Sequence, residues 1–313
     1  MNEGSGMITK KKTANHDEWL ALRSGYIGGS DAAAVIGLNP YKSPFALWAE
    51  KTGQTPPFQG NVVTRVGNEL EQLVATLYAE ETGNKVRNDN GTYFNDAYPW
   101  ACANIDRRII GAKAGLEIKT TGDWNKIKTL KAGEIPNDWL CQMTHYMAVT
   151  GYERWDLAAL AEGRELYVLT LNREEEDIRA LMQAEQEFWR CVKSREPPGV
   201  DGSKATAEAL GQLYQSEDTG TCVLLDPVAH DLEHLLQLKA EKKELEAQIK
   251  EAENAVKAYM GTSESGAYGN VSVTWKTVAQ TTYDTKALRR EHPDLARQYK
   301  RISTSRRFTI KED

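Results

Sequence analysis

One short segment, residues 115–120 (GLEIKT), constrains the fold of this 313-residue chain more than any other. Side chains at i and i+2 of a strand point to the same face, so Leu116 and Ile118 are predicted to face apolar packing. Glu117 and Lys119 then stand together on the opposite face. Charged side chains are rarely placed in a core strand unless they are paired or hold a metal. The segment therefore predicts either a structural ion pair or part of a metal site in a buried strand.

A second strand-like run, residues 100–110, precedes this segment and brings in another acid. If residues 111–114 form a four-residue hairpin turn, Asp106 lies opposite Lys119 and diagonal to Glu117 on one face. Two carboxylates beside a lysine suit metal-assisted phosphodiester hydrolysis, because hard oxygen ligands hold Mg²⁺ and the ion acts as a Lewis acid. Lys119 then helps deprotonate the attacking water, stabilises charge on the phosphate, or pairs with Glu117. The residues alone leave the metal site and the structural ion pair open.

Five further polar residues become candidates beside such a site. Gln142 and Tyr146 share one face of a predicted helix, where an amide can orient a phosphate or water and a phenol can bond or stack. Glu71 borders the apolar stripe of a helix predicted over residues 68–82. An arginine and a helix-starting serine, Arg23 and Ser30, can together hold a terminal phosphate. Each has an ordinary structural alternative, since such residues also serve packing and solvated surfaces.

Composition favours a protein that remains in the cytoplasm. No apolar run approaches the roughly 18 residues that span a membrane, and the N-terminus lacks the apolar core of a signal peptide. The four cysteines are scattered without a paired motif, which argues against disulfides, a zinc ribbon or an iron–sulfur cluster. The net charge is −6, yet residues 107–131 hold seven Lys/Arg against two acids and residues 286–307 hold eight against two. Local basic surfaces of this kind suit selective contact with a polyanion, or are solvated charge.

The chain is predicted to contain a flexible lead over residues 1–15 and a folded domain over residues 16–196. A linker over residues 197–226 begins with a Pro-Pro-Gly sequence. Residues 227–313 then form a long charged helix, with an imperfect coiled-coil spacing, followed by basic strands. That helix is either an oligomerisation zipper or a solvated helix packed on its own domain.

Taken together, the motifs resemble the YqaJ-like viral recombinase family, the lambda-exonuclease type of PD-(D/E)xK nuclease. The resemblance covers residues 16–195, and its matching segments occur in family order: residues 19–31 (WLALRSGYIGGSD), residues 67–71 (GNELE), Asp106 with Glu117-Ile118-Lys119, and residues 142–146 (QMTHY). It implies an α/β, restriction-endonuclease-like core, with a mixed central sheet flanked by helices. The C-terminal helical and β region resembles the extension of longer phage members.

The resemblance also implies an activity, a metal-dependent 5′-to-3′ exonuclease that degrades one strand of linear duplex DNA. Mg²⁺, with Mn²⁺ as a substitute, would be held by Asp106, Glu117, the Ile118 carbonyl and Glu71. Lys119 would serve the nucleophilic water and Gln142 would orient it. Arg23 and Ser30 would bind the 5′ phosphate, with Tyr146 beside the DNA. The chain departs from the family pattern at one position. Arg107 follows Asp106 where the family usually has a small glycine, and this arginine can alter the turn geometry.

The implied partners are duplex DNA ends and a single-strand annealing protein of the RecT or Beta kind. Family relatives form ring trimers around DNA, so a homotrimer in the cytoplasm of a bacterial host is expected. Two rival functions remain from the residues: a structure-specific or restriction-like endonuclease with the same site, and a non-catalytic scaffold that binds DNA ends.

Overall fold

The computed structural model describes residues 6–216 and 220–311, and the chain divides into two compact units, Met1–Gln215 and Ser216–Asp313. The helices of the first unit are α1 (His16–Ser24), α2 (Gly29–Val35), α3 (Pro44–Lys51), α4 (Val62–Thr82), α5 (Trp124–Lys131), α6 (Asn137–Thr150), α7 (Glu175–Ser194) and α8 (Lys204–Leu213). Its strands are β1 (Ile8–Lys11), β2 (Ile27–Gly28), β3 (Val86–Asn88), β4 (Thr92–Asn95), β5 (Ala101–Asn104), β6 (Arg107–Ile109), β7 (Ala114–Thr121), β8 (Arg154–Ala161) and β9 (Glu165–Asn172).

Two sheets organise the described part of the first unit. The larger has the order β3-β6-β7-β8-β9, in which β7 and β8 run parallel and the other neighbours run antiparallel. The smaller has the order β1-β4-β5-β2. The parallel pair requires a crossover, which α5 and α6 provide. The prediction of a mixed central sheet flanked by helices is confirmed.

The central strand β7 has the predicted alternation. Leu116 is fully buried and Ile118 nearly so, and both belong to an apolar cluster with Val74 and Tyr78 of α4. Helix α4 is longer than predicted, because Asn61 caps its N-terminus by accepting a hydrogen bond from the Thr64 main-chain N–H at 3.0 Å. The apolar face of β7 is thus covered by α4, and its charged face is left for the other side of the sheet.

The hairpin register differs by two residues from the prediction. Arg107 pairs with Leu116 and Arg108 pairs with Gly115, so the turn comprises residues 110–113. Asp106, just before β6, therefore comes level with Glu117 rather than with Lys119. A shift of two residues keeps every side chain on its face, because strand side chains alternate with period two. The predicted grouping of the charges survives although the predicted pairing is wrong.

The N-terminal lead is not uniformly flexible. Residues 8–11 form β1, which pairs antiparallel with β4, and residues 1–5 lie outside the described part of the chain. Two of its lysines have partners on the sheet. Lys10 pairs with Asp89 and lies over the Tyr93 ring, and Lys11 lies over the Phe94 ring at 5.3 Å.

The predicted linker, residues 197–226, also contains structure. Helix α8 packs on α3, with Ala209 buried and with Thr206 donating a hydrogen bond to the Ser43 hydroxyl at 2.7 Å. Ser203 caps α8 by accepting from the Thr206 main-chain N–H. The first unit therefore ends at Gln215, later than the predicted domain boundary at residue 196.

The second unit is built on α9 (Ala229–Met260), followed by the hairpin β10 (Ser265–Tyr268) and β11 (Val271–Thr274), then α10 (Thr285–Glu291) and α11 (Pro293–Gln298). The predicted long helix is present. Of the basic strands predicted after this helix, the hairpin is the part that forms within the described residues, and residues 305–311 have no regular secondary structure. Throughout residues 6–216 and 220–311, every helix is too short or too polar to cross a bilayer.

Close packing requires a glycine at one position of the central strand. A Cβ atom on Gly115 would lie 2.2 Å from Cζ2 of Trp155, which is fully buried on β8. Gly115→Ala is expected to lower the free energy of unfolding by about 1–3 kcal/mol, measured by urea denaturation. Gly211→Ala is the matched control, since a Cβ there meets no atom within 4 Å in α8, and we expect a rise of about 0.5–1 kcal/mol. Equal stability of the two variants would contradict the packing argument.

Candidate active site

A buried carboxylate, a lysine and a second carboxylate meet where β6 and β7 adjoin. Glu117 is 1% exposed, and its Oε1 lies 2.5 Å from Nζ of Lys119. Its Oε2 is buried and has no hydrogen-bond partner among the described residues. Asp106 accepts a hydrogen bond from the Ile118 main-chain N–H at 2.8 Å through Oδ2. Two acids therefore share one small region with a single ammonium group.

The charges in this cluster are incompletely balanced. Burial raises the pKa of Asp106 well above its usual range, and the neighbouring charge of Glu117 adds to the rise. Burial also raises the pKa of Glu117, although Lys119 opposes it. Burial lowers the pKa of Lys119, but the charges of Glu117 and Asp106 outweigh burial and raise it overall. One further cation beside the two carboxylates would relieve their repulsion.

Helix α6 places an amide and a phenol over the same face of the sheet. Nζ of Lys119 donates to Oε1 of Gln142 at 2.9 Å, and Nε2 of Gln142 donates to the hydroxyl oxygen of Tyr146 at 2.9 Å. Both α6 side chains are buried. The two residues share a helix face because they are four positions apart, as the sequence predicts. The structure thus brings Gln142 and Tyr146 into one hydrogen-bonded chain with Lys119.

The two residues predicted to bind a phosphate are also neighbours. Nη2 of Arg23, at the end of α1, donates to the hydroxyl of Ser30, in the first turn of α2. Gly29 packs against the ring of Tyr146 so closely that an added Cβ would lie 2.4 Å from Cε1 of that ring. The Arg23–Ser30 pair therefore adjoins the carboxylate cluster, with Tyr146 between them.

A buried ion pair supports this region and was missed by sequence reasoning. Nζ of Lys51 lies 2.8 Å from Oδ2 of Asp31 and donates to the Tyr26 carbonyl at 2.7 Å. Burial raises the pKa of Asp31, but the charges of Lys51 and Arg23 outweigh burial and hold it well below its usual range. A sequence signal exists, because Lys51 follows the buried Trp48 by three positions and so shares its helix face.

Glu71 has a different neighbour from the one expected. Its Oε1 accepts a hydrogen bond from Nη1 of Arg107, which also donates to the Asp106 carbonyl at 2.9 Å. Across the described ranges, no three His, Cys, Asp or Glu side chains lie close enough together to hold a metal ion. Arg107 adopts regular pairing in β6, so it changes the charge balance at Glu71 and leaves the hairpin backbone regular.

Behind the site, His145 and Glu185 form a fully buried pair. Nδ1 of His145 lies 2.7 Å from Oε1 of Glu185, and Nε2 lies 2.9 Å from the Cys102 carbonyl oxygen. A carbonyl only accepts, so Nε2 donates. Burial lowers the pKa of His145, but the charge and hydrogen bond of Glu185 and the bond to Cys102 outweigh burial and raise it overall. Glu185 was missed, although it is the one acid in the buried stripe of α7.

This pair predicts a pH dependence of stability. A raised pKa of His145 in the folded state means that its stabilisation is complete below about pH 6.5, the usual value in unfolded chains. The stabilisation is lost as the pH rises through the higher folded-state pKa. Urea denaturation between pH 6 and pH 9 should show this decline in the wild type and a weaker one in Glu185→Gln. An identical pH profile for both proteins would contradict the assignment.

Comparison with known proteins places these residues in a family. Residues 18–153, which contain every predicted site residue, match the family model described as the YqaJ-like viral recombinase domain. The uncharacterized protein YqaJ of Bacillus subtilis (strain 168) is 36% identical over 311 residues, or 98% of this chain and 97% of that protein. The chain belongs to the YqaJ-like viral recombinase family. The predicted family membership is confirmed.

Solved structures agree with the fold of this member of the YqaJ-like family. The alkaline exonuclease LHK-Exo of Laribacter hongkongensis superposes with a TM-score of 0.50 at 24% identity, covering 57% of this chain and 94% of that one. The same protein in complex with dAMP gives a TM-score of 0.50 at 22% identity, with the same coverage. This likeness confirms the predicted restriction-endonuclease-like fold of the YqaJ-like domain.

Proposed function

We propose that this YqaJ-like recombinase is a Mg²⁺-dependent 5′-to-3′ exonuclease that degrades one strand of linear duplex DNA during phage or prophage recombination. One observation carries the proposal. The buried Glu117 carboxylate has an unpartnered oxygen among the described residues and lies beside Asp106 and the Lys119–Gln142 pair. A structural pair between Glu117 and Lys119 alone leaves the negative charge of the adjacent buried acid, Asp106, unbalanced.

The residues present fit a divalent cation. Asp106 and Glu117 offer hard carboxylate oxygens in a region with excess negative charge, and the Ile118 carbonyl is the expected third ligand. Glu71 accepts a hydrogen bond from Arg107, so it can become a ligand of the ion only after that hydrogen bond breaks. When bound, Mg²⁺, or Mn²⁺ in its place, supplies Lewis-acid polarisation of the scissile phosphate.

Lys119 and Gln142 are proposed to act on the attacking water and on the phosphate. Lys119 remains an ammonium group because neighbouring carboxylates raise its pKa. As an ammonium group it orients the attacking water and stabilises negative charge on the phosphate. The Gln142 amide holds Lys119 through Oε1 and has a further lone pair with which to orient the water.

Arg23 and Ser30 are proposed to bind the terminal 5′ phosphate. A guanidinium and a hydroxyl supply several donors to phosphate oxygens, and the pair adjoins Tyr146 beside the cluster. A phosphate held there would select DNA ends over internal sites. Ring trimerisation around DNA, delivery of the product strand to a RecT- or Beta-like annealing protein, and action in the host cytoplasm rest on the family resemblance.

The proposal is tested with 5′-phosphorylated linear duplexes and covalently closed circular duplexes incubated in Mg²⁺, with Lys119→Ala as the blank. Progressive nucleotide release from linear DNA alone is expected from the wild type. Cutting of the circle would favour a restriction-like endonuclease. If the wild type bound DNA but did not hydrolyse it in Mg²⁺ or Mn²⁺, the proposed enzymatic activity would be wrong, and a scaffold that binds DNA ends would be favoured. A 5′-hydroxyl linear duplex should be degraded more slowly if Arg23 and Ser30 bind the phosphate.

A further inference from the structure

The long helix of the second unit leaves an apolar face exposed. Helix α9 spans 32 residues and has no buried side chain. Several of its large apolar residues are about half exposed, including Leu238 at 46%, Leu245 at 57% and Ile249 at 51%. An exposed apolar stripe on a helix of this length is typical of a surface that packs against another helix.

The spacing of that face is a seven-residue repeat, in which Lys242 and Ala252 are the weak positions. Written as heptads, the a positions are Leu235, Lys242, Ile249 and Val256, and the d positions are Leu238, Leu245, Ala252 and Tyr259. A repeat of 3.5 residues that continues over this length keeps one seam facing a partner helix and produces a left-handed supercoil. The face therefore suits a partner helix with the same repeat.

A parallel pair of identical helices would fit this seam poorly. In a parallel pair each a or d residue meets its own counterpart, so Lys242 would meet Lys242 and the small Ala252 would meet Ala252. At the flanking positions, Glu241 of one copy would lie beside Glu246 of the other. Like charges in these places and a gap at the alanine layer oppose that arrangement.

An antiparallel pair matches charge and size. With the two helices centred on each other, the apolar layers become Leu235 with Tyr259, Leu238 with Val256, Lys242 with Ala252, and Leu245 with Ile249. The small alanine then leaves room for the four-carbon stem of the lysine, whose ammonium reaches water. At the flanking positions, Lys239 of each copy lies beside Glu253 of the other, which gives two attractive pairs. Glu246 faces its own counterpart, which is the one like-charge contact.

The hairpin of the same unit extends this surface. Val273 and Trp275 line an apolar groove of about 540 Å³ with Ile249, Ala252 and Val256. The antiparallel arrangement directs Leu238, Lys242 and Leu245 of the second copy toward this groove. The groove is thus continuous with the heptad face and widens it on one side.

We propose that α9 is an interface between two copies of this chain, which pair through an antiparallel two-stranded coiled coil. A contact of this kind is two-fold symmetric, so assemblies that use it contain an even number of chains. If the proposed ring trimer also forms, the contact joins two rings. The inference is independent of the proposed nuclease activity.

The test is a charge-reversal cycle on the full chain, followed by sedimentation equilibrium at low ionic strength. The wild type should form dimers or larger even assemblies. Lys239→Glu and Glu253→Lys should each weaken association about tenfold, because two attractive pairs become repulsive. The double variant should return to within about threefold of the wild type. A strictly odd assembly, a monomer at all concentrations, or single variants that associate as tightly as the wild type would overturn the proposal.

Two controls separate the contact from folding and from helix direction. Lys239→Glu places an acid four residues before Lys243, which favours the helix itself, so circular dichroism should show unchanged helix content. Glu253 also pairs with Lys257 of its own helix at 3.0 Å, and the double variant accounts for that loss. Glu246→Lys should leave association no tighter, because two lysines then face each other. A marked tightening would indicate the parallel arrangement, since the introduced ammonium group would meet Glu241 of the other copy.

Discussion

Replacing Glu117 by glutamine is expected to reduce nucleotide release from linear duplex DNA by about 10³-fold or more. The amide keeps the shape of the side chain but removes a charged oxygen from the proposed metal site. Loss of the metal's polarising effect amounts to several kcal/mol of transition-state stabilisation, and each 1.36 kcal/mol is tenfold in rate. The reduction should appear in kcat at saturating Mg²⁺, measured as acid-soluble nucleotide per minute.

Thermal stability gives this prediction a readout besides activity. A cation that binds only the folded state raises the melting temperature, so Mn²⁺ should stabilise the wild type and leave Glu117→Gln unchanged. Glu153→Gln is the matched control, since that acid is 72% exposed next to β8, and it should keep both the Mn²⁺ response and the activity. If Glu117→Gln retained the full response to Mn²⁺, the cation would be held elsewhere.

The second large effect is expected from Gly29→Ala. The new methyl group would lie 2.4 Å from Cε1 and 2.8 Å from Cζ of the buried Tyr146 ring, so the ring must move. Gln142 then loses its hydrogen bond to the Tyr146 hydroxyl. Without that bond its amide is no longer held in the position in which it accepts a hydrogen bond from the Lys119 ammonium group. A displacement of about 1 Å near a reacting centre lowers kcat by about 10².

Gly25→Ala is the control for this substitution. It lies close by in sequence, and a Cβ there would be 3.6 Å from its nearest neighbour, the Leu22 carbonyl oxygen, which is an ordinary contact. Its kcat and melting temperature should remain near those of the wild type. Gly29→Ala should lose kcat far more than it loses affinity for the 5′ phosphate, because Arg23 and Ser30 are retained. Wild-type turnover in Gly29→Ala would show that the position of Tyr146 does not matter for the reaction.

Local patterns predicted much of the fold and of the candidate site. The alternation in residues 115–120 placed Leu116 and Ile118 in the core and Glu117 beside Lys119. Helical spacing put Gln142 and Tyr146 on one face. The register of Asp106 was wrong by two residues, because the glycine-bracketed turn allows either pairing and both keep the same faces. The local sequence determined which face of the sheet each side chain takes, whereas the choice of pairing register depended on the whole sheet.

Long-range pairs were beyond these patterns. Arg107 and Glu71 are separated by 36 residues, and only the packing of α4 on the sheet brings them together. The same holds for His145 and Glu185, which are 40 residues apart. The structured N-terminal strand and α8 were missed for a related reason. Basic and Pro-Gly-rich segments read as solvated until their tertiary partners, such as Asp89 or Ser43, are known.

The parallel pairing of β7 with β8 has a consequence for the order of folding. Ala114 pairs with Arg154, forty positions further along the chain, so the whole crossover must be made before the ladder closes. Pairings at this sequence separation form slowly, because the entropy of closing the loop comes before the contacts that reward it. During synthesis, Glu117 therefore remains hydrated until β8 has left the ribosome. The nascent chain acquires its buried carboxylates late, and a fragment that stops before residue 154 would not form the proposed cation site.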